Sequence, residues 1–489
     1  MLYPTKEEVK NLLLSYKTVP VFYETLIDSC TPVGLFAALK ERFDNCFILE
    51  SVDNSDQWGR YSFIGIDPQM EVKIFGDKAE IIENGKTQNV DCPNPIELFN
   101  SILSRHTSPV FMNRPKLTGG LIGYFGYDTV RRFEKKLVHV PEDDLQMPDS
   151  NMFLYDEIVA YDHLANKAII ILNINEGDDV DKAYEKCLER SAEIGQILAK
   201  AGAAPQTGGS GKEIQVKSNV TKEEYMTMVE KAKEHIIDGD ISQVVLSQRF
   251  EIDNAPAPFD VYRMLRATNP SPYLYYFDHE NYCIAGASPE MLVNVTDGAV
   301  ITKPIAGTIG RGRDEAEDKA FEQQLLNDPK ERAEHTMLVD LGRNDVGKVC
   351  SFGTVNVTDF MRVERYSKVM HLVSDVQGQL APDKTALDAL MSVLPAGTLS
   401  GAPKVRAMEI IDELENKKRG LYGGTVGYLA FSGNIDTCIA IRTVLFRNGK
   451  AYVQAGAGIV YDSVPEKEYE ETKNKALAVI NAITEAANL

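Results

Sequence analysis

Short apolar runs rich in Val, Ile, Tyr and Phe recur along the whole chain and predict β-strands. In the first half they cover residues 46–51, 60–66, 71–76 and 167–174. In the second half they cover residues 243–252, 271–277, 281–288, 425–431, 436–446 and 451–458. Many neighbouring runs follow each other with no helical pattern between them, which parallel strands would require. The pattern therefore predicts an α+β fold with mostly antiparallel sheets flanked by helices.

One stretch between two helical patterns has no apolar residue large enough to anchor it. Residues 201–212 read AGAAPQTGGSGK, a composition typical of a linker. A helical pattern over residues 181–200 precedes it, and another follows after a capping box formed by Thr221 and Glu224. We therefore predict an N-terminal domain over residues 1–200, a linker over 201–220 and a C-terminal domain over 221–489.

The charge balance excludes some classes of partner. The chain has 52 Lys and Arg against 72 Asp and Glu, a formal net charge of −20. Such a surface repels phosphate backbones and anionic lipid, so we expect neither nucleic-acid nor membrane partners. The seven cysteines are scattered without a CxxC pair, which disfavours a disulfide framework or a zinc site. With no signal-peptide pattern and no membrane-length apolar run, we expect a cytoplasmic protein.

Two predicted helices begin with pairs of glutamates three residues apart. The pairs are Glu331 with Glu334 and Glu468 with Glu471. Asp328 is the predicted N-cap of the first helix, and Ser463 with Glu466 is predicted to form a capping box at the second. Such pairs could hold a hard divalent cation such as Mg²⁺. Acidic first turns also complement the helix dipole, and spacing alone favours that simpler explanation.

Glycine-rich turns are predicted after several strands, at residues 306–308, 396–404, 422–427 and 455–458. Successive backbone N–H groups in such turns can bind carboxylates, although plain turn or bulge geometry explains each of them as well. Arg442 and His371 are predicted to lie inside apolar strands, where an arginine needs an acidic partner or a sheet edge. From the residues alone we expect an enzyme that handles a small acidic molecule with a divalent metal.

A series of longer motifs then follows in order along the chain. They are GDISQVVLSQRF (239–250), NPSPYLYYF (269–277), GASPEML (286–292), KPIAGT (303–308), ERAEHTMLVDLGRND (331–345), LPAGTLSGAPKVRAMEII (394–411), YGGTVGY (422–428), DTCIAIRT (436–443) and QAGAGIVYDSVPEKEYEET (454–472). Together they resemble the chorismate-binding enzymes of the anthranilate synthase component I type, from about residue 20 to the end. The resemblance implies two interlocked α+β domains and favours a metal site at the glutamate pairs.

The resemblance implies conversion of chorismate and ammonia to anthranilate and pyruvate, in tryptophan biosynthesis. It implies Mg²⁺ as the cofactor, with Glu334 and Glu471 as direct ligands and Glu331 and Glu468 beside them through water. The residues it implies for binding chorismate are Gly307, Thr308, Tyr422, Arg442, Gly456, Ala457 and Gly458.

Catalytic roles are also implied by the resemblance. Glu290 corresponds to the general acid that protonates the departing hydroxyl, His371 assists pyruvate elimination, and Thr398 positions the ring. Gln243 stands where the isochorismate and salicylate synthases carry a lysine that activates water. Ala306 stands where aminodeoxychorismate synthases typically have a lysine. Both differences indicate amination beside the ring carboxylate followed by elimination.

Three alternatives differ from this interpretation. A related enzyme that releases aminodeoxyisochorismate without elimination would look almost identical in sequence. An isochorismate-type synthase is disfavoured by Gln243. A non-catalytic tryptophan-binding module is disfavoured by the complete set of Glu, His and Arg positions.

The segment CFILESVD (46–53) resembles the tryptophan-sensing segment of these enzymes. The residues implied to bind L-tryptophan as an inhibitor are Glu50, Ser51, Pro272, Tyr273 and Leu274, where many relatives have Met instead of Leu. Without the resemblance, these residues would be a strand end and a core strand. The chain has no amidotransferase motif. Ammonia is therefore expected from solution or from a separate glutamine amidotransferase subunit. The resemblance implies a hetero-oligomer, with two copies of each subunit.

Overall fold

A computed structural model describes residues 2–28, 30–51, 59–202, 213–366 and 369–488. The first half of the chain contains four named helices, a 3₁₀ turn and ten strands within these ranges. The helices are α1 (Lys6–Leu12), α2 (Pro32–Lys40), α3 (Pro95–Leu103) and α4 (Val180–Lys200), with the 3₁₀ turn at Tyr127–Arg132. The strands are β1 (Thr18–Leu26), β2 (Cys46–Glu50), β3 (Tyr61–Gly65), β4 (Met70–Phe75), β5 (Lys78–Glu83), β6 (Lys86–Asp91), β7 (Gly120–Phe125), β8 (Ser150–Tyr155), β9 (Ile158–Asp162) and β10 (Lys167–Asn175).

The second half adds longer helices and the remaining strands. The helices are α5 (Lys222–Ile237), α6 (Pro258–Thr268), α7 (Glu315–Asn327), α8 (Pro329–Gly347), α9 (Ala386–Val393), α10 (Lys404–Leu414) and α11 (Pro465–Ala487), with a 3₁₀ turn at Gly397–Leu399. The strands are β11 (Gln215–Ser218), β12 (Gln243–Asp253), β13 (Tyr273–His279), β14 (Tyr282–Ser288), β15 (Met291–Thr296), β16 (Ala299–Thr302), β17 (Ile305–Gly310), β18 (Asn356–Arg365), β19 (Val369–Gln379), β20 (Gly401–Ala402), β21 (Thr425–Ala430), β22 (Ile435–Ile439), β23 (Thr443–Arg447) and β24 (Lys450–Ile459).

The described strands form two sheets of twelve strands each, and the pairings between named strands are antiparallel. The first sheet runs in the order β1-β10-β9-β3-β2-β13-β14-β23-β24-β12-β11, with β20 on β12. The second runs β17-β19-β16-β15-β22-β21-β7-β8-β4-β5-β6, with β18 on β19. The predicted α+β class with antiparallel sheets is confirmed.

Both halves of the chain contribute strands to both sheets. The halves meet where β2 pairs with β13 in the first sheet and where β7 pairs with β21 in the second. Each half thus completes a sheet that the other half begins, as the interlocked fold implied. Within the segment predicted as a linker, β11 pairs with β12, and residues 203–212 lie outside the described residues. The boundaries at residues 201 and 220 remain a prediction.

The two sheets enclose an inner core to which both contribute. Its buried members include Phe47, Ile122, Phe153, Tyr275, Ile284 and Val426. The helices cover the outer faces, with α2, α4, α6 and α11 on the first sheet and α3, α8 and α9 on the second. This arrangement leaves α8 and α11, which carry the two glutamate pairs, packed on β17 and β24 respectively. No helix in the described ranges is long and apolar enough to cross a bilayer.

Two of the predicted helix starts are confirmed. The Thr221 hydroxyl accepts from the Glu224 backbone N–H, and the Glu224 carboxylate accepts from the Thr221 N–H, which completes a capping box for α5. Asp328 caps α8, with Pro329 in the first turn. These caps fix where the helix axis begins, and for α8 they also set the position of its first glutamate, Glu331.

The capping box predicted for Ser463 and Glu466 is wrong. The N-cap of α11 is Val464, and it makes no side-chain capping bond. The Ser463 hydroxyl instead accepts a hydrogen bond from the Val460 N–H at 3.0 Å, so it serves the preceding turn. A second difference concerns residues 436–446, which form two strands, β22 and β23, instead of the single strand predicted.

Candidate functional site

Glu290 lies in the tight connection between β14 and β15. The hydroxyl of Thr398, in the 3₁₀ turn Gly397–Leu399, donates a hydrogen bond to Glu290 Oε1 at 2.9 Å. Burial raises the pKa of Glu290 to about 7, while the Thr398 bond and the positive charge of Lys475 act in the opposite direction. Near neutral pH this carboxyl group is therefore only partly ionised. A carboxyl group in this state is suited to donate a proton.

His371 lies in β19, as predicted, opposite Thr308 of β17. Its Nδ1 is 2.9 Å from the Thr308 hydroxyl and 3.2 Å from the Gly307 carbonyl oxygen. Because the carbonyl can only accept, Nδ1 carries the proton in this arrangement and Nε2 keeps its lone pair. Burial lowers the pKa of His371, so the ring is neutral at neutral pH. His371 is thus arranged as a base.

Gly307 lies in a bulge of β17, between Ala306 and Thr308, with a φ of +74°. Glycine adopts this conformation without strain, which L-residues with a Cβ rarely do. A Cβ at this position would also lie 3.2 Å from Glu331 Oε2. The bulge therefore brings the backbone of Gly307 next to the first glutamate of α8, and the alternative explanation of this turn as a bulge is confirmed.

The two glutamate pairs, one on α8 and the other on α11, lie close enough to interact electrostatically. Burial raises the pKa of Glu334, and the negative charges of Glu331 and Glu471 raise it further. Burial also raises the pKa of Glu468, again with a contribution from Glu471. Negative charges that raise the pKa of a neighbouring carboxyl group in this way are close enough to repel it. A cation placed between them would relieve that repulsion.

The oxygen donors of this group suit Mg²⁺, which proteins usually bind through one or two carboxylates, substrate and water. Within the described residues, no group of three or more His, Cys, Asp or Glu side chains converges as a ready metal cage. Glu471 also forms an ion pair with Lys475 at 2.7 Å. The residues therefore fit a cation that substrate and water help to coordinate, and the ligand assignment stays a prediction.

Arg442 lies between β22 and β23 with a φ of +52°, not inside a strand as the apolar pattern predicted. The chain changes direction here, which ends one strand and begins the next. The guanidinium donates to the Lys475 carbonyl at 3.1 Å, and within the described residues it makes no ion pair. Burial lowers the pKa of Arg442, and the nearby Tyr422 partly offsets this. A half-buried arginine with donors to spare is suited to a substrate carboxylate.

Gly456, Ala457 and Gly458 lie within β24, so the turn predicted for them is wrong. The face of β24 that carries Gly456 and Gly458 is closely packed. A Cβ at Gly456 would lie 2.7 Å from Tyr422 Oη, and one at Gly458 would lie 2.8 Å from Gln243 Nε2. The glycines therefore allow Tyr422 and Gln243 to lie directly against the strand backbone.

A family model described as chorismate binding enzyme matches residues 44–481. The chain belongs to the chorismate-binding enzymes. It is 50% identical to an anthranilate synthase component 1 from Acetivibrio thermocellus, with 100% of each chain covered. It is 46% identical to anthranilate synthase component 1 from Pseudomonas aeruginosa, with 96% of each chain covered. The family recognised from the motifs is thus confirmed.

Solved structures agree with this assignment. Anthranilate synthase component I from Streptococcus pneumoniae TIGR4 superposes with a TM-score of 0.78 at 42% identity, covering 88% of this chain and 94% of that one. The menaquinone-specific isochorismate synthase from Escherichia coli shares the fold, with a TM-score of 0.69 at 18% identity and 98% of each chain covered.

Lys475 is a residue of this chorismate-binding enzyme that the sequence analysis missed. Its Nζ contacts the Glu471 carboxylate at 2.7 Å and donates to the Gly456 carbonyl at 3.1 Å. It therefore joins the glutamates predicted to bind a metal to the strand predicted to bind substrate. A sequence signal existed, because Lys475 follows Glu471 by four residues and such pairs meet on one helix face.

The residues implied to bind an inhibitor lie together at the β2–β13 pairing, where Glu50 pairs with Leu274. The Glu50 carboxylate accepts from Tyr262 Oη at 2.5 Å and from Arg266 Nε at 2.8 Å. The buried Ser51 hydroxyl has no hydrogen-bond partner within the described part of the chain. Tyr262 and Arg266 were not predicted, since more than two hundred residues separate them from Glu50. Residues 52 and 53 of the sensing segment lie outside the described residues.

Proposed function

We propose that this chorismate-binding enzyme is the large subunit of an anthranilate synthase and converts chorismate and ammonia to anthranilate and pyruvate. The observation that carries the proposal is the partly buried Glu290, whose pKa is raised to about 7 by desolvation and whose Oε1 accepts from Thr398. The reaction needs an acid for the leaving hydroxyl, and a carboxyl with this pKa supplies one near neutral pH. The relatives named anthranilate synthase component 1 support the same product.

Other residues of the site fit individual steps of that reaction. Arg442 and the backbone of Gly307 and Thr308 bind the carboxylates of chorismate. Glu290 then protonates the leaving hydroxyl as ammonia attacks the ring. His371, neutral and unprotonated at Nε2, takes the ring proton while pyruvate leaves. Bound Mg²⁺, held by Glu334 and Glu471 with Glu331 and Glu468 beside them, would supply positive charge at the ring carboxylate.

Gln243 is the residue that favours ammonia over water as the nucleophile. It is buried, and its Oε1 has no hydrogen-bond partner within the described residues. An amide cannot remove a proton from water, whereas ammonia attacks as the free base and needs no such help. An isochorismate-type activity is therefore disfavoured. An enzyme that stops at aminodeoxyisochorismate remains the second candidate, because His371 alone does not establish elimination.

Product analysis separates these functions. Purified chain incubated with chorismate, Mg²⁺ and ammonium at alkaline pH is expected to give anthranilate and pyruvate in equal amounts. Glutamine in place of ammonium should give no product, because the chain has no amidotransferase motif. Isochorismate as the main product would show that the nucleophile is assigned wrongly, and aminodeoxyisochorismate without pyruvate would favour the second candidate.

The proposal extends to assembly. Ammonia in the cell would come from a separate glutamine amidotransferase subunit, in a heterotetramer with two copies of each. The relatives' designation as component 1 supports the existence of a second component. Addition of such a subunit should make glutamine a substrate without changing the product.

The proposal also includes inhibition by L-tryptophan, bound by Glu50, Ser51 and Pro272 to Leu274. Two observations support it. The Ser51 hydroxyl is buried without a partner within the described ranges, and each such group is costly unless a ligand or water completes it. The residues also come from both halves of the chain, where β2 pairs with β13. A ligand there contacts both halves at once.

Replacing Ser51 with Phe is expected to raise the tryptophan concentration needed for half-inhibition by at least about a hundredfold, because a buried aromatic ring fills the space of the ligand. The variant should remain active with ammonia. Inhibition curves at fixed chorismate measure the effect. Calorimetric titration of the wild type adds a check, since chorismate must weaken tryptophan binding by the same factor that tryptophan weakens chorismate binding. Wild-type inhibition in Ser51→Phe would show that the pocket lies elsewhere.

A further inference from the structure

A tyrosine of the segment proposed to bind tryptophan reaches from one sheet to the other. Tyr273 begins β13 in the first sheet, and its hydroxyl donates to Asp436 Oδ1 in β22 of the second sheet at 3.0 Å. Asn294, opposite Asp436 in the β15–β22 pairing, also hydrogen-bonds to this carboxylate. Burial raises the pKa of Asp436 to about 6, so the two hydrogen bonds matter for keeping it ionised. Tyr273 therefore holds β22 through a charge-assisted bond inside the sandwich.

Strand β22 in turn holds the backbone of Glu290. The Ile439 N–H donates to the Glu290 carbonyl at 2.9 Å, and the Ser288 hydroxyl donates to the Ile439 carbonyl at 2.7 Å. Ser288 is itself the partner of Tyr273 in the β13–β14 pairing. Tyr273 thus reaches the Glu290 connection by two routes, through its side chain and β22 and through its backbone and Ser288.

We propose that Tyr273 is a positioning residue for Glu290: its bond to Asp436 fixes β22, and displacement of Pro272 to Leu274 by a bound inhibitor moves the general acid. The inference rests on the proposed function and names how inhibition would reach the catalytic step. It requires no contact between inhibitor and chorismate.

The size of the expected effect follows from the geometry of proton transfer. A misplacement of about 1 Å in a catalytic group costs about a hundredfold in rate. Two hydrogen bonds, joined through strand β22, separate Tyr273 from Glu290, so loss of the Tyr273 hydroxyl should cost less than that. We expect kcat to fall about tenfold, with the KM for chorismate changed less than about twofold, because substrate contacts are not involved.

The test compares Tyr273→Phe with Tyr276→Phe. Tyr276 lies on the opposite face of the same strand, and its hydroxyl also donates to a carboxylate, Asp278 Oδ1 at 3.2 Å. Removing it deletes a similar bond away from Glu290. The expected result is a lower kcat and a smaller tryptophan–chorismate coupling factor in Tyr273→Phe alone. Tryptophan affinity without chorismate, measured by calorimetry, should change less than about threefold.

The pH profile supplies a readout that a purely structural role would not move. The Thr398 bond and the positive Lys475 lower the pKa of Glu290. If Glu290 shifts away from Thr398, its pKa rises, and the alkaline limb of kcat/KM measured at constant free ammonia moves to higher pH. We expect a movement of about half a unit or more in Tyr273→Phe and none in Tyr276→Phe.

Asp436→Asn is the second variant, in case Tyr273→Phe does not fold. It keeps an oxygen that accepts from Tyr273 and should therefore keep kcat within about threefold of the wild type, while Asp436→Ala should behave as Tyr273→Phe. The proposal would be overturned if Tyr273→Phe and Tyr276→Phe had the same kcat, pH profile and coupling factor. It would also be overturned if Asp436→Ala and Asp436→Asn agreed in these three quantities.

Failure of the proposed function can be distinguished from this result, because the wild type would then form no anthranilate. A wild type that forms anthranilate without inhibition leaves the kcat and pH comparisons decisive.

Discussion

Glu334→Ala and Glu471→Ala are each expected to lower ammonia-dependent anthranilate formation by at least about a thousandfold. Each change removes one carboxylate from the glutamate pairs on α8 and α11, where burial, and then the negative charges of Glu331 and Glu471, raise the pKa of Glu334. With that charge missing, a divalent cation would be held too loosely to act on the substrate. Initial rates over a series of Mg²⁺ concentrations measure the loss.

Glu223→Ala is the matched control for these variants. Glu223 also lies in the first turn of a helix, α5, and is exposed there. Its removal should change the rate less than about twofold. If a high concentration of Mg²⁺ brought Glu471→Ala close to the wild-type rate, Glu471 would not be a direct ligand.

Glu290→Gln is expected to lower kcat by about a hundredfold to ten-thousandfold, the usual contribution of a positioned general acid. The amide keeps the shape of the side chain and can still accept from Thr398, but it has no acidic proton. Chorismate binding should persist, so KM changes little. In the wild type, kcat/KM at constant free ammonia should fall as pH rises above about 7, where Glu290 loses its proton.

Stability separates a catalytic loss from an unfolded variant. The pKa of Glu290 is about 7 in the folded chain, above its ordinary value of 4.5. Between pH 4.5 and about 7, the Glu290 carboxyl is therefore mostly ionised in the unfolded chain but mostly protonated in the folded chain. The free energy of unfolding consequently decreases as pH rises through this range. Glutamine removes that penalty. At pH 8, Glu290→Gln should unfold at the same or a higher denaturant concentration than the wild type, and a marked decrease would assign the lost activity to misfolding.

Most of the fold could be predicted because its signals are local. The strand runs, the caps of α5 and α8 and the antiparallel class all follow from neighbouring residues. Sequence patterns could not show which strands pair across the two halves, since β2 and β13 are more than two hundred residues apart. The cap of α11 was predicted wrongly because the Ser463 hydroxyl had a second possible partner in the preceding turn.

For the candidate site, the identity of the residues was predictable, but their environment was not. The motifs identified Glu290, Thr398 and His371, and the structure brings the first two into contact and places the third against Thr308. The environment of each group was not predictable, because pKa shifts depend on burial and on charges distant in sequence. Gly456 illustrates this: its pattern suggested a turn, whereas the close approach of the Tyr422 hydroxyl and the Leu246 backbone oxygen leaves no room for a Cβ.

The pairings of β2 with β13 and of β7 with β21 determine what kind of motion the enzyme can make. They join five and six residue pairs respectively, one row in each sheet. A hinge rotation of one half against the other would break the hydrogen bonds of both strand pairings and open the core between the sheets. A ligand bound where β2 pairs with β13 can therefore act only by straining the fold, through small changes in the twist or shear of the two continuous sheets. For the same reason a fragment containing residues 213–489 alone would expose β13 and β21 as unpaired edges, which are templates for aggregation.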